Sequence, residues 1–100
     1  MKIGMLINSD KYAGDVNGIA KAALAAGHEV IIFVMDEGIN IMHDPSLLEL
    51  TGSKGVSVSY CDHNAQQLKL DKSGLPGEIV SGSQYNNAVM ANESDRLIVL

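Results

Sequence analysis

The chain has 100 residues, which is the length of one domain and enough to bury a hydrophobic core without disulfide bonds or a structural metal ion. Its composition, 46% hydrophobic and 19% charged, excludes an intrinsically disordered chain. The formal net charge is −5 with seven Lys and Arg residues and no basic cluster, which argues against direct binding to nucleic acid or to an anionic membrane surface.

No apolar run reaches the roughly 20 residues that a transmembrane helix needs. The first residues, MKIGMLINSD, lack the long apolar stretch and the cleavage site of a signal peptide. The single cysteine, Cys61, cannot form an internal disulfide, which agrees with a reducing compartment. We therefore expect one domain over residues 1–100, located in the cytoplasm and not bound to membranes.

The N-terminal part of the chain alternates strand and helix patterns. KIGMLIN (residues 2–8) is a short apolar run typical of a buried strand. Residues 15–26 place apolar side chains at helical spacing, with Asp15 in the first turn and Gly27 just past the end. HEVIIFVM (28–35) is a β-branched run typical of a central parallel strand.

The rest of the chain continues this alternation, apart from residues 36–44, which have no clear pattern. VSVSY alternates apolar and polar residues, as a strand near a sheet edge does. Pro45 and Gly52 stand where a short helix begins and ends. The elements predicted here are a helix over 45–52, a strand over 56–60, a helix that begins in DHNAQQLKL (62–70), a loop over 71–78, a helix over 83–92 and a closing strand over 96–100.

Strands that alternate with helices imply a mainly parallel sheet of four to five strands, with right-handed crossovers and helices on both faces. In such sheets, ligands and reactive groups gather beyond the carboxyl ends of the strands. This rule selects the loops that follow the strands. The candidate site residues in these loops are Asn8, Ser9 and Asp10 after the first strand, Asp36 and Glu37 after the second, and Cys61, Asp62 and His63 after the third.

Cys61 is the strongest candidate because it stands where a strand gives way to a helix. Unpaired backbone N–H groups and the positive end of the helix dipole favour a thiolate over a thiol at such a position. His63 can add a positive charge, whereas Asp62 disfavours a second negative charge nearby. The alternative is a small apolar side chain that fills the strand end, since free cysteine is among the most buried residue types. The residues alone leave both interpretations open.

Four segments in this order resemble the DsrE/DsrF-like family of small α/β proteins: KIGMLINSD, ALAAGHEVIIFVMDEGI, GVSVSYCDHNAQQL and VSGSQYNNAVMANESDRLIVL. The resemblance covers nearly the whole chain. It implies a three-layer α/β/α fold, flavodoxin-like in general layout, that assembles into dimers, trimers or hexamers. In members that act in sulfur trafficking, the matching cysteine accepts sulfane sulfur as a persulfide and passes it on, which implies this role for Cys61. Members without a working cysteine also exist, so a non-catalytic oligomeric module that binds a protein partner or small ligand is the alternative.

The expected function is therefore that of a sulfurtransferase or sulfur carrier. The Cys61 thiolate attacks the outer sulfur of a donor persulfide and holds it as Cys61–S–SH, which an acceptor thiol then attacks. A lone cysteine suits a carrier, because an internal resolving thiol would discharge the persulfide as a disulfide. We expect the backbone N–H groups of residues 62–64 to stabilise the anionic sulfur and His63 to steer protons. Donor and acceptor proteins are the implied partners, and no cofactor is expected.

Other polar residues have simpler interpretations. His28, His43 and His63 lie far apart in the sequence and form no close-spaced pair, so no metal site is expected. Asp36 and Glu37 could act as a general acid and base. Adjacent carboxylates point apart on an extended segment, however, and a turn with the following glycine is the favoured interpretation.

Two further groups of polar residues lie at the predicted strand ends. Asp10 and Asp36 at neighbouring strand ends suggest a phosphoacceptor site, which the lack of a lysine at a later strand end disfavours. Ser81 and Ser83, on either side of Gly82, are expected to cap the following helix. These three residues could also contribute N–H groups to an anion site near the cysteine.

An apolar stretch, INIM, lies in the segment that has no helix or strand pattern. Exposed apolar patches of this kind mark association surfaces. We therefore expect Ile39, Ile41 and Met42 to form an interface between the subunits of a homo-oligomer.

Overall fold

The computed structural model describes residues 1–100, and its centre is a five-stranded parallel sheet. The strands are β1 (Lys2–Ile7), β2 (Glu29–Val34), β3 (Val56–Cys61), β4 (Ile79–Gly82) and β5 (Arg96–Val99). Their order in the sheet is β4-β3-β2-β1-β5, so the chain moves outward from β1 and then returns to place β5 on the other side of β1. The predicted parallel α/β architecture is confirmed.

Four α-helices and one 3₁₀ helix connect the strands. They are α1 (Ala13–Ala25), the 3₁₀ helix (Asp36–Ile41), α2 (Pro45–Leu48), α3 (Asp62–Gln67) and α4 (Gln84–Glu93). All four predicted helices form, although α1 begins two residues earlier than its pattern indicates and α2 is shorter. None of these helices has both the length and the apolar character that crossing a membrane requires.

The sheet separates two clusters of buried side chains, because successive residues of a strand point to opposite faces. The larger cluster joins β2 residues Val30, Ile32 and Val34 to buried residues of α1, α2 and α3. On the opposite face, Phe33 of β2 packs with a buried residue of α4, Met90. The chain therefore forms three layers, with three helices on one face of the sheet and a single helix on the other.

The 3₁₀ helix belongs to the larger core. Ile39, Ile41 and Met42 are 1%, 4% and 0% exposed and pack in that core. The expectation that these three residues form a subunit interface is therefore wrong: the segment is apolar because it closes one end of the core of its own chain. Gly38 allows the backbone of the 3₁₀ helix to lie close to that of β1, since a Cβ at this position would lie 2.4 Å from the carbonyl oxygen of Ile7.

The connections after β3 and β4 leave the sheet toward opposite faces. Helix α3 follows β3 and packs on the larger core through Ala65. Helix α4 follows β4 and packs on the other face through Met90. Adjacent parallel strands whose connections diverge in this way leave a crevice between their carboxyl ends, which is where open α/β sheets bind ligands.

Candidate functional site

Cys61 lies at this divergence, as the last residue of β3 and the residue directly before α3. Its register partner on the neighbouring strand is Gly82, the last residue of β4. The side chain packs in the small cluster with Phe33 and Met90, and the residue is only 4% exposed. The sheet, an aromatic ring and a helix therefore hold the thiol in place on three sides.

Cys61 also lines a cavity of about 660 Å³ beyond the carboxyl ends of β2, β3 and β4. We call this cavity the thiol crevice. Its walls come from three parts of the chain: Met35 and Asp36 after β2, Asp62 and His63 of α3, and Ser83 and Gln84 at the start of α4. Cys61 is thus nearly buried and still belongs to the lining of this cavity.

Two flexible side chains meet across the thiol crevice. The Nε2 atom of Gln84 lies 3.8 Å from the sulfur of Met35. Met35 also packs against the cluster that contains Cys61. Because a thioether is a weak acceptor, this contact can open at little cost. Met35 and Gln84 therefore contact each other within the lining of the thiol crevice.

Asp62 follows Cys61 and lines the same crevice. Its carboxylate forms a salt bridge with Lys72 and accepts a hydrogen bond of 2.6 Å from Nε2 of Gln66. The hydrogen bond from Lys72, and after it the one from Gln66, lowers the pKa of the Asp62 carboxyl below its usual value. The hydrogen bond to Asp62 in turn raises the pKa of Lys72. Asp62 is therefore ionised near neutral pH, and its negative charge is paired with the ammonium group of Lys72.

A hydrogen bond between backbone and side chain forms one wall of the crevice. The N–H of Asp36, a residue with a positive φ of 47°, donates to Oδ1 of Asn64 at 3.0 Å. The amide of Asn64 donates in turn to Gln67 Oε1 at 3.0 Å. Asp36 and Asn64 line both the thiol crevice and a second cavity of about 420 Å³. Both cavities therefore share these two residues, whose hydrogen bond ties the segment after β2 to α3.

The start of α4 forms the opposite wall of the thiol crevice, and a capping box with reciprocal hydrogen bonds stabilises it. Ser83 is the N-cap: its hydroxyl accepts a hydrogen bond from the N–H of Tyr85 at 3.2 Å, and its own N–H donates to Oδ1 of Asn86 at 2.9 Å. The expected capping role of Ser83 is confirmed, whereas that of Ser81 is wrong, because Ser81 lies within β4. A Cβ at Gly82 would lie 2.4 Å from Oδ1 of Asn86, so a larger residue there would displace the Asn86 side chain from its hydrogen bond with Ser83.

The structure brings six of the predicted site residues to the thiol crevice: Asp36, Cys61, Asp62, His63, Gly82 and Ser83. Asn8 and Glu37 line the second cavity instead. Ser9 and Asp10 line neither cavity, and the Asp10 carboxylate accepts a hydrogen bond from Asn40 at 3.1 Å. The chemical roles of all these residues stay predictions.

Sequence reasoning does not single out the crevice residues Met35, Gln66 and Gln84, the side-chain role of Asn64, or the pairing of Lys72 with Asp62. Met35 directly follows β2 and Gln84 directly follows the N-cap of α4. Their positions beside the ends of these elements could have indicated that they lie near the site. Asn64 acts through a bond to a backbone N–H of another element, which no pattern along the chain reveals. Lys72 lies ten residues after Asp62 in a loop, where spacing predicts no contact.

The three histidines occupy separate places. His28 Nδ1 lies 3.1 Å from the N-terminal amine, His43 contacts the carbonyl oxygen of Asp71, and His63 lines the thiol crevice. No group of three or more His, Cys, Asp or Glu side chains is placed to hold a metal ion.

Comparison with known proteins adds the following findings. The model of the DsrE/DsrF-like family matches residues 1–100 of the chain. Among solved structures, the YchN protein from E. coli matches with a TM-score of 0.75, and the match covers 100% of this chain and 99% of that chain. Because the sequence identity is 13%, this likeness shows a shared fold and no more. No curated protein matches the chain significantly.

Proposed function

We propose that this chain, which belongs to the DsrE/DsrF-like family, is a small sulfur carrier that accepts sulfane sulfur on Cys61 and passes it to an acceptor thiol. Membership in the family supports a role in sulfur relay in general. The observation that carries the specific proposal is the position of Cys61, which ends β3 and lines the thiol crevice where the connections after β3 and β4 diverge.

The proposed chemistry consists of two thiol–persulfide exchanges. The Cys61 thiolate attacks the outer sulfur of a donor persulfide R–S–SH; the new S–S bond forms as the donor S–S bond breaks, and the donor leaves as the thiolate R–S⁻. An acceptor thiolate then attacks the outer sulfur of Cys61–S–SH, and Cys61 leaves as a thiolate. Neither step consumes an oxidant or a reductant. The chain has no second cysteine that could displace the sulfur as an internal disulfide.

The narrow approach to Cys61 suits this chemistry. A thiolate that is 4% exposed cannot contact a bulky disulfide, but the terminal sulfur of a persulfide projects beyond the rest of its donor. In the proposal, Met35 and Gln84 move apart to admit that sulfur, and His63 in the crevice wall exchanges the proton of the persulfide with solvent.

A second interpretation has an observation in its favour. Cys61 packs with Phe33 and Met90 as a small apolar side chain would, so it could be a structural residue in a non-catalytic module that binds a partner or small ligand. The two interpretations differ in one measurable property. A structural thiol reacts only when the protein unfolds, whereas a carrier thiol reacts in the folded protein.

The test of the proposal is the intact mass of the protein after incubation with glutathione persulfide. We expect a gain of about 32 Da, the mass of one sulfur atom, that is removed by dithiothreitol. The matched control is Cys61→Ser, which differs from the native protein by one atom and must gain no mass while retaining the native far-UV circular dichroism spectrum. An unmodified native protein, or an equal gain in the control, would contradict the proposal.

The proposed carrier acts in a reducing cytoplasm, with protein donors and acceptors, as a homo-oligomer. Support for self-association comes from the sheet face that α4 covers only in part. Val80 and Tyr85 on one side of the helix, and Leu97 and Val99 on the other, are 52%, 74%, 46% and 55% exposed. Exposed apolar side chains of this size mark association surfaces. Light scattering at micromolar concentration should give a mass above the 10.6 kDa of one chain; a monomer mass would contradict this part of the proposal.

A further inference from the structure

Met35 differs from the other methionines in its surroundings. Met5, Met42 and Met90 are 0%, 0% and 2% exposed, and Met1 is an exposed terminal residue. Met35 is half-buried and lines the thiol crevice. It is therefore the methionine beyond the terminus that keeps part of its surface in contact with solvent, which is the condition for oxidation of a thioether in a folded protein.

The side chain of Gln84 directs a hydrogen-bond donor at the sulfur of Met35. Its Oε1 accepts a hydrogen bond of 3.2 Å from Nδ2 of Asn87, which orients the amide group. The Nε2 atom then lies 3.8 Å from the Met35 sulfur. A thioether is a weak acceptor, so this donor lacks a strong partner in the reduced protein.

We propose that Met35 is a reversible oxidation site, at which a hydroperoxide converts the thioether to a sulfoxide and Gln84 binds the new oxygen. The O–O bond of the peroxide breaks as the S–O bond forms. The sulfur loses two electrons, and the peroxide leaves as water or as an alcohol. The proposal is independent of the sulfur-carrier function, because neither Cys61 nor a persulfide takes part in the reaction.

The distance between the two side chains suits the new hydrogen bond. An oxygen bonded to the sulfur can lie about 2.9 Å from Nε2 of Gln84, the usual length of an N–H···O bond, without movement of either backbone. Met35 also packs against the apolar cluster that contains Phe33 and Met90, where a polar oxygen without a donor destabilises the fold. Gln84 supplies that donor, so the sulfoxide joins the segment after β2 to the start of α4 more firmly than the thioether does.

The first experiment locates the added oxygen. The variant Cys61→Ser, which removes the competing thiol, is treated with hydrogen peroxide for increasing times, and its proteolytic peptides are analysed by tandem mass spectrometry. Met35 should gain about 16 Da, the mass of one oxygen atom, on the order of tenfold faster than the buried Met42 and Met90. Methionine sulfoxide reductases should then remove this gain.

The second experiment measures the hydrogen bond from Gln84 through the melting temperature before and after oxidation, in the same Cys61→Ser background. Gln84→Glu keeps the shape of the side chain and removes the donor. Oxidation should therefore lower its melting temperature by about 4–8 °C more than that of the protein with Gln84. The matched control is Gln67→Glu in α3, which should show no such additional loss. In Met35→Leu, which lacks the sulfur, peroxide should leave the melting temperature nearly unchanged.

Three results would overturn the proposal. Met35 could gain oxygen no faster than Met42 and Met90, oxidation could lower the melting temperature equally with Gln84 and with Gln84→Glu, or Gln67→Glu could show the same additional loss. The rate comparison needs no substitution in the crevice walls, so it remains decisive if Gln84→Glu does not fold. A protein that passes these tests and gains no sulfur from a persulfide keeps the oxidation site and loses the sulfur-carrier function.

Discussion

Gly38 lies in the 3₁₀ helix two residues after Asp36, and adding one carbon atom there tests how closely the backbones of the 3₁₀ helix and β1 approach each other. In Gly38→Ala the new Cβ would lie 2.4 Å from the carbonyl oxygen of Ile7 and 3.0 Å from its carbonyl carbon. Both atoms belong to the backbone of β1 and cannot rotate away. The carbonyl oxygen of Ile7 also accepts a hydrogen bond of 2.9 Å from the N–H of Met35. A shift of β1 away from the new Cβ would therefore weaken this hydrogen bond, which joins β1 to the residue after β2.

The two effects set the size of the prediction. Overpacking typically costs about 1–3 kcal/mol, and a weakened backbone hydrogen bond adds about 1 kcal/mol. We therefore expect Gly38→Ala to lower the free energy of unfolding by about 2–4 kcal/mol. The matched control is Gly18→Ala in α1, where the new Cβ meets no atom within 4 Å. Alanine in the interior of a helix should stabilise the fold by about 0.5–1 kcal/mol.

Urea unfolding followed by far-UV circular dichroism measures both changes. With a slope of about 1.5 kcal/mol per molar, the midpoint should fall by about 2 M in Gly38→Ala and rise by about 0.5 M in Gly18→Ala. Equal midpoints in the two variants, or a Gly38→Ala midpoint at the native value, would show that β1 and the 3₁₀ helix do not approach as closely as described.

Three further predictions concern residues around the thiol. The lowered pKa of Asp62 contributes stability above its unfolded pKa that is lost as pH falls through the folded value, so urea midpoints between pH 6 and pH 3 should decrease more in the native protein than in Asp62→Asn. Ser83→Ala removes the N-cap of α4 and should cost about 1 kcal/mol, seen as a melting temperature lower by about 4–8 °C; an unchanged value contradicts the capping geometry. Phe33→Leu, at a fully buried position, should cost about 1 kcal/mol and speed alkylation of Cys61 by loosening its packing; a slower reaction refutes that view of access.

Much of the fold is visible in the sequence because buried parallel strands leave continuous apolar runs. KIGMLIN and HEVIIFVM predict β1 and β2, whose residues face helices on both sides, and the alternating VSVSY predicts β3. The position of Cys61 follows from the same pattern, since the end of the apolar run marks the junction of β3 with α3. The rule that sites lie at the carboxyl ends of strands then leads to the end of the sheet at which the thiol crevice lies.

What the sequence does not reveal depends on contacts between distant segments. β4 has only four residues, of which Ile79 alone is buried, so the strand is too short to show an alternation of apolar and polar residues. The apolar INIM segment predicts an interface, whereas its side chains pack in the core of the same chain through contacts with distant segments that the sequence does not reveal. The pairing of Lys72 with Asp62 likewise depends on how the loop after α3 folds back, which local propensity does not determine.

Transfer of a labelled sulfur tests the central claim most directly. The protein is loaded with persulfide that carries ³⁴S in its outer position, separated from the donor and mixed with a small acceptor thiol. We predict that the label leaves Cys61 and appears in the persulfide of the acceptor, with the thiol of Cys61 regenerated at native mass. A label that never attaches to Cys61, or that attaches and cannot be passed to the acceptor, would contradict the account of this protein as a sulfur carrier.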